Sequence, residues 1–137
     1  MRRGTSGQAL LETAIVLPLM LTLMLGFLAV LVRVEAQVEL ETATGLAAAA
    51  AASAPAGDHA LGSRYARDTW TGTLHFYGYL RPGDLSGCAG YARAGDVVSC
   101  TGSATLRYSE TPMGIVIPFD LEISARATAR SSEFRSR

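Results

Sequence analysis

Residues 7–32 read GQALLETAIVLPLMLTLMLGFLAVLV, and the disposition of this stretch decides the fold. From Thr13 to Val32 it holds 20 consecutive residues without a formal charge. At about 1.5 Å per residue such a helix is about 30 Å long, the thickness of a bilayer's hydrocarbon core. A buried core helix would be shorter, with polar residues at helical spacing, and the rest of the chain is small for wrapping one. The run is therefore expected to span a membrane. Arg2 and Arg3 precede it with no acid before Glu12, whereas Arg33 beyond it stands close to Glu35, Glu39 and Glu41. The positive-inside rule then leaves the N-terminus in the cytoplasm and everything after Arg33 outside. A cleaved secretory signal fits less well, because the run is long and the nearest A-x-A-like site, Ala52-Ser53-Ala54, lies far past its end. No Cys lies near that end, which argues against a lipoprotein.

One carboxylate, Glu12, sits at the head of the run between Leu11 and Thr13. An ionisable group inside an apolar helix costs about 2.5–3.5 kcal/mol on insertion scales, so it calls for a partner or a task. The plain reading is a Glu close enough to the cytoplasmic face to reach headgroup water. The segment Gly7-Gln8-Ala9-Leu10-Leu11-Glu12-Thr13-Ala14-Ile15-Val16-Leu17-Pro18 supplies another. It resembles the head of the class III, type IV pilin-like proteins, and above all the TadE family of pilus-assembly pseudopilins. The resemblance implies that a membrane prepilin peptidase cuts after Gly7, at the end of a short basic leader. Gln8 then becomes the first residue and Glu12 the fifth. Gly4 does not serve as the leader glycine, since Ala9 would then stand fifth. Gln8 departs from the Phe common in the wider superfamily, and Pro18 matches the proline that interrupts the apolar stretch of TadE-like proteins. Cleavage would create an α-amine about one helical turn from Glu12. By resemblance, Glu12 pairs with such an amine, its own or that of a neighbouring subunit. A glycine also lets an extended backbone approach a peptidase cleft closely. The likeness covers residues 2–32 well and the remainder in outline.

Working outward, residues 34–54 contain Val34 and Val38 at helical spacing, then Leu46 and six alanines from Ala47 to Ala52. Alanine is the best helix former, so the spanning helix is expected to continue to about Ser53, with Pro55 and Gly57 ending it. From Gln8 the stem would reach about 70 Å if straight, with Pro18 as a bend. The alanine run has two readings. It packs on the protein's own C-terminal part, or it docks against the stem of another subunit.

In the C-terminal part, Trp70 to Leu80 alternates Trp70, Leu74, Phe76 and Leu80 with Thr71, Thr73, His75, Tyr77 and Tyr79, which reads as a strand. Phe119, Leu121, Ile123, Ala125 and Ala127 alternate with polar residues and give the clearest half-buried strand. Val97 to Tyr108 is a third candidate, and Ile115 to Ile117 an early start of the last. Cys88 and Cys100 bracket a glycine-rich loop containing Gly90, Tyr91 and Gly95. Outside the membrane the pair is expected to form a disulfide worth about 3 kcal/mol, two free thiols being the alternative. His59 and His75 are too few and wrongly spaced for a zinc site. Arg126, Arg130, Arg135 and Arg137 read as a solvated strand face and a frayed terminus, with an acidic partner or lipid headgroups as the alternative.

The fold expected is α+β: a long N-terminal transmembrane helix, continuing outside and packed on a small antiparallel sheet, in the order the pilin-like resemblance implies. The divisions are residues 1–7 (leader), 8–32 (span), 33–54 (helical extension) and 55–137 (β-rich domain). Half of the chain, 49%, is apolar, which excludes a disordered polypeptide. Twelve basic residues, all Arg, balance 12 acidic ones, so nothing suggests a nucleic-acid partner. Asp58, His59 and the serines form no triad pattern, and there is no P-loop. The expectation is a structural protein without cofactor, metal or small-molecule substrate. By resemblance it is a bacterial membrane component of a Tad (Flp) pilus and secretion system, partnered by pilin-like subunits, the Tad membrane platform, the peptidase and lipid. TadF- and TadG-like relatives share these features. The rival is an uncleaved single-pass protein whose outer domain binds a ligand.

Overall fold

A computed structural model describes residues 5–74, 78–90, 93, 95–115 and 117–131. It contains helix α1 (Thr5–Ala52), helix α2 (His59–Leu74) and strands β1 (Leu80–Ser86), β2 (Val97–Leu106) and β3 (Leu121–Arg130). Two short 3-10 turns, Tyr108–Glu110 and Pro112–Ile115, lie between β2 and β3. The class is α+β. The chain divides into two compact units, Met1–Arg33 and Val34–Arg137.

In the first unit the helix is long and apolar enough to cross a membrane. Its large apolar side chains are uncovered on every side: Ile15, Leu19, Leu23 and Phe27 are each about 60% exposed or more, and so are Leu17, Met20 and Met24. Helical assignment continues through Pro18, whose ring removes one backbone donor. The Thr22 hydroxyl donates to the Pro18 carbonyl at 2.8 Å.

In the second unit, α1 residues 34–52 bury one face: Ala36, Leu40, Ala43, Thr44, Ala47, Ala48 and Ala51 are fully buried. This i, i+4, i+7 spacing is a helix lying on a core. The alanine run therefore packs on the protein's own C-terminal part, with only Ala49 exposed within it. The strands form an antiparallel sheet in the order β1-β2-β3. Rows include Leu80–Leu106–Leu121 and Cys100–Ala127, and a bulge between Pro82 and Leu85 interrupts β1. Core residues Val98, Cys100, Ala104, Leu106, Ile123 and Ala125 project to the helical side.

Two expectations are corrected. Trp70 to Leu74 is not strand but the last turn of α2, and β1 begins only at Leu80. Gly62, Ala66, Trp70 and Leu74 recur every four residues and are all buried, so one helical face satisfies the same apolar residues that the alternating pattern grouped. Asp58 Oδ1 accepts the Leu61 N–H at 2.9 Å, capping the helix start. His75, Phe76 and Tyr77 lie outside the described residues. The last strand begins at Leu121, since Pro112–Ile115 is a 3-10 turn and Phe119 is 62% exposed.

Helix and sheet approach closely at Gly102. A Cβ built there would lie 2.9 Å from both Thr44 Oγ1 and Trp70 Nε1. Trp70 is 2% exposed and its Nε1 has no hydrogen-bond partner among the described residues. Gly102→Ala should therefore cost about 1–3 kcal/mol by overpacking. Gly72→Ala, in α2 with open space around it, should gain about 0.5–1 kcal/mol from helix propensity. Chemical unfolding of the full chain in detergent, followed by Trp70 near-ultraviolet dichroism, checks both; the opposite order would contradict this packing.

Candidate functional site

The Gly7–Gln8 bond lies in the first turn of α1, which starts at Thr5. The first four N–H groups of a helix have no intrahelical acceptor, so this turn unwinds more cheaply than any interior one. Arg2 and Arg3 lie outside the described residues. Glu12 comes seven residues after the helix start and is exposed, sharing one helix surface with Thr13, Val16, Leu17 and Met20. The helix thus presents a carboxylate at the edge of an uncovered apolar surface. Pro18 follows one and a half turns later on the same helix.

Cys88 and Cys100 are joined by a disulfide across a 12-residue separation, and both are buried. The bond ties the segment after β1 to the middle of β2. Around it α2 makes close contact: the Gly90 carbonyl accepts from His59 Nδ1 at 2.6 Å, and the Ser63 hydroxyl donates to the Cys88 carbonyl at 3.2 Å. A Cβ on Gly62 would lie 2.7 Å from Gly90 Cα, so both glycines are needed for this approach. Asp58 caps α2 and His59 ties it to the loop, which gives each a structural task. Tyr91 of this loop, and Arg135 and Arg137 of the tail, lie outside the described residues. Among the described residues no three His, Cys, Asp or Glu side chains are grouped to hold a metal ion. Arg126 and Arg130 stand on the exposed face of β3, where Arg126 Nε donates to Ser99 Oγ at 3.2 Å.

One contact could not be read from the sequence. The Tyr79 hydroxyl donates to the Glu39 carboxylate, 3.1 and 3.2 Å from Oε1 and Oε2, and joins α1 to the residue before β1. Nearby, Gln37 Nε2 donates to the Ser124 carbonyl at 3.2 Å on the free side of β3. The partners are 40 and 87 residues apart, and only the fold brings them together. Burial pushes the Glu39 carboxyl above its ordinary value; the Tyr79 hydrogen bond partly opposes this, and the Glu35 charge adds to the rise. A cleft of about 390 Å³ between α2 and β1 is lined by Arg67, Trp70, Thr71 and the Pro82-Gly83-Asp84-Leu85 bulge.

Compared with protein-family models, curated proteins and solved structures, the chain finds no match.

Because its folded pKa is raised, Glu39 contributes stability that is present below the unfolded value near 4.5 and lost as pH rises through the folded one. Glu39→Gln keeps an acceptor for Tyr79 and removes the charge. Denaturation midpoints should therefore coincide for variant and parent well below pH 4.5 and separate at neutral pH, with the variant more stable. A parent more stable than the variant at neutral pH would reverse the assignment.

Proposed function

We propose that this protein is a TadE-like pseudopilin or minor pilin of a Tad (Flp type IV) pilus assembly and secretion system, acting structurally rather than as an enzyme. The observation that carries the reading is the head of α1: a glycine after a basic leader, Glu12 five residues on, and an apolar helix surface without cover. The α+β arrangement, with the long helix first and a small antiparallel sheet last, agrees with a pilin-like subunit. In this reading the protein is a single-pass component of a bacterial cell membrane, N-terminus inside and sheet outside. The disulfide fits an oxidising exterior. The peptidase removes residues 1–7, and Glu12 meets the amine of Gln8, its own or a neighbour's. Force would come from a cytoplasmic ATPase, since this chain has no P-loop.

Of the two readings of the alanine run, its burial supports packing on the protein's own sheet, so docking on a neighbour would use another face. Residues 34–52 give the alanine face to their own sheet, and a neighbouring subunit is left the opposite one, where Val34, Val38 and Leu46 are 54%, 56% and 48% exposed. The rival reading, an uncleaved membrane protein with a ligand-binding outer domain, has the α2–β1 cleft in its favour.

Mass and N-terminal sequence of protein from native membranes, with and without the prepilin peptidase, discriminate between them. A chain beginning at Gln8 only when the peptidase is present is the expected result; Met1 in both cases favours the rival. Glu12→Ala should leave insertion intact and abolish assembly, read by pulldown of other pilin-like subunits. In cysteine cross-linking on native membranes, Val38→Cys and Leu46→Cys should give intermolecular adducts and the buried Ala48→Cys none. Adducts from Ala48 alone would overturn the docking face.

A further inference from the structure

The two edges of the sheet are finished differently. On the β1 edge, Pro82 and the bulge before Leu85 break the ladder, and α2 packs alongside. Prolines, bulges and covering helices are the usual devices that close a strand edge to other chains. The β3 edge has none of them: Leu121–Arg130 stays in register with β2 over 10 residues, without a proline or a bulge.

Which backbone groups of β3 face outward follows from a few contacts. The Ser99 and Ser103 carbonyls lie 2.8 Å from Cβ atoms built on Gly87 and Gly83, so both turn towards β1. Their β3 partners, Thr128 and Ser124, therefore exchange no bonds with β2. The Ser124 carbonyl accepts from Gln37 Nε2 instead, whereas the Ser131 N–H turns inward to the Asp96 carbonyl. Even-numbered residues of β3 thus point their N–H and C=O away from the sheet. Gln37 covers this edge at Ser124. Along residues 126–130 nothing does: among the described residues, no group bonds the backbone N–H or C=O of Arg126, Thr128 or Arg130. Their side chains lie on the exposed face, while Ala127 and Ala129 between them are half-buried towards the helices. Among the described residues neither arginine has an acidic partner.

We infer that β3 accepts a further strand along residues 126–130, supplied by an acidic extended segment of another protein. In strand addition the unpaired ladder groups provide affinity, and side chains at alternate positions provide selection. An antiparallel segment whose central residue lies opposite Thr128 sets the residues two before and two after it against Arg126 and Arg130. Asp or Glu at those places pairs with both guanidinium groups, of which that of Arg126 is already steadied by Ser99 Oγ. The residues between them fall beside Ala127 and Ala129, where apolar side chains fit. A second copy of β3 satisfies the edge less well. Centred on Thr128, it sets Arg126 against Arg130 of the other chain twice over. Centred on Arg126, it gains Glu122–Arg130 pairs but opposes Arg126 to its own copy and displaces Gln37 from Ser124. The two arginines therefore disfavour self-pairing and favour an acidic strand.

The test titrates the full chain, isotope-labelled and observed by NMR in uncharged detergent micelles, with the end-blocked peptide Val-Asp-Val-Thr-Val-Asp-Val. Expected are saturable shifts and slowed hydrogen exchange at the amides of Arg126, Thr128 and Arg130, with that of Glu122, beyond Gln37, unmoved. Val-Lys-Val-Thr-Val-Lys-Val should bind about tenfold more weakly, and the double substitution Arg126→Glu with Arg130→Glu should invert this preference. Methylating the peptide nitrogen of the central Thr, which faces Thr128, should abolish binding; methylating that of the Val beside it, which faces away, should not. Equal binding of the Asp and Lys peptides, or of the two methylated ones, overturns the proposal. So does the absence of saturable shifts at the three amides. Shifts there that grow with protein concentration alone assign the edge to a second copy and overturn the acidic partner.

Discussion

The C-terminal unit depends on how closely residues 34–52 of α1 can lie on the sheet. The buried face of the helix is alanine at five of its seven fully buried positions between Ala36 and Ala51, with Leu40 and Thr44 as the exceptions. Short side chains bring the helix backbone near β2, and Gly102 supplies the matching absence of a Cβ on the strand. The larger volumes come from elsewhere. Trp70 and Leu74 enter from α2, and Leu106 from β2, so that bulky and small residues interleave. The geometry also brings Thr44 and the indole edge together over one glycine. The Thr44 hydroxyl is used by the Leu40 carbonyl, and the Trp70 N–H is left without an acceptor among the described residues. That unmade bond, about 1–3 kcal/mol by the usual measure, is a cost of placing the largest side chain where helix and sheet approach closely.

Most of the architecture was legible because two periodicities differ so clearly. Residues 121–130 alternate without interruption, and nothing else satisfies that alternation. The length of the apolar run, and the alanines bounded by Pro55 and Gly57, set the extent of α1 in the same way. Over a segment as short as Trp70 to Leu74, period two and period four agree, so alternation there does not separate strand from helix. Thr71 and Thr73 favour a strand by propensity, yet the thread of Gly62, Ala66, Trp70 and Leu74 runs the length of α2. The decisive signal was upstream, in the Asp58 cap, where a short polar residue before an interrupted apolar series marks a helix start.

The candidate site divides along the same line. The offset from Gly7 to Glu12 and the pair Cys88–Cys100 are local facts of spacing, visible in one dimension. The Glu39–Tyr79 bond and the Gln37–Ser124 bond are products of topology. No pattern in residues 34–41 distinguishes Glu39 from Glu35 or Glu41, and only the fold sets a tyrosine in front of one of them. Likewise the glycines of the disulfide loop look like flexibility in the sequence. In the structure Gly90 is a close-packed contact against α2.

The burial of the alanine run bears on how an assembly could be built from this chain. A polyalanine face invites the inference of a partner helix, since small side chains permit close approach. Here the chain itself satisfies that invitation, and the affinity that Ala47 to Ala52 could have offered a neighbour is spent on the sheet. What stays open is a less regular face on which Val34, Val38, Thr42 and Leu46 follow one another at intervals of four, with Glu35 and Glu41 close by. Scattered exposed apolar residues need no explanation, but a helical series of them on a helix already anchored on its other side is a directional surface. β-Branched residues and leucine hold neighbouring helices farther apart than alanine does. A contact made through this face of residues 34–52 would therefore be looser than the intramolecular one.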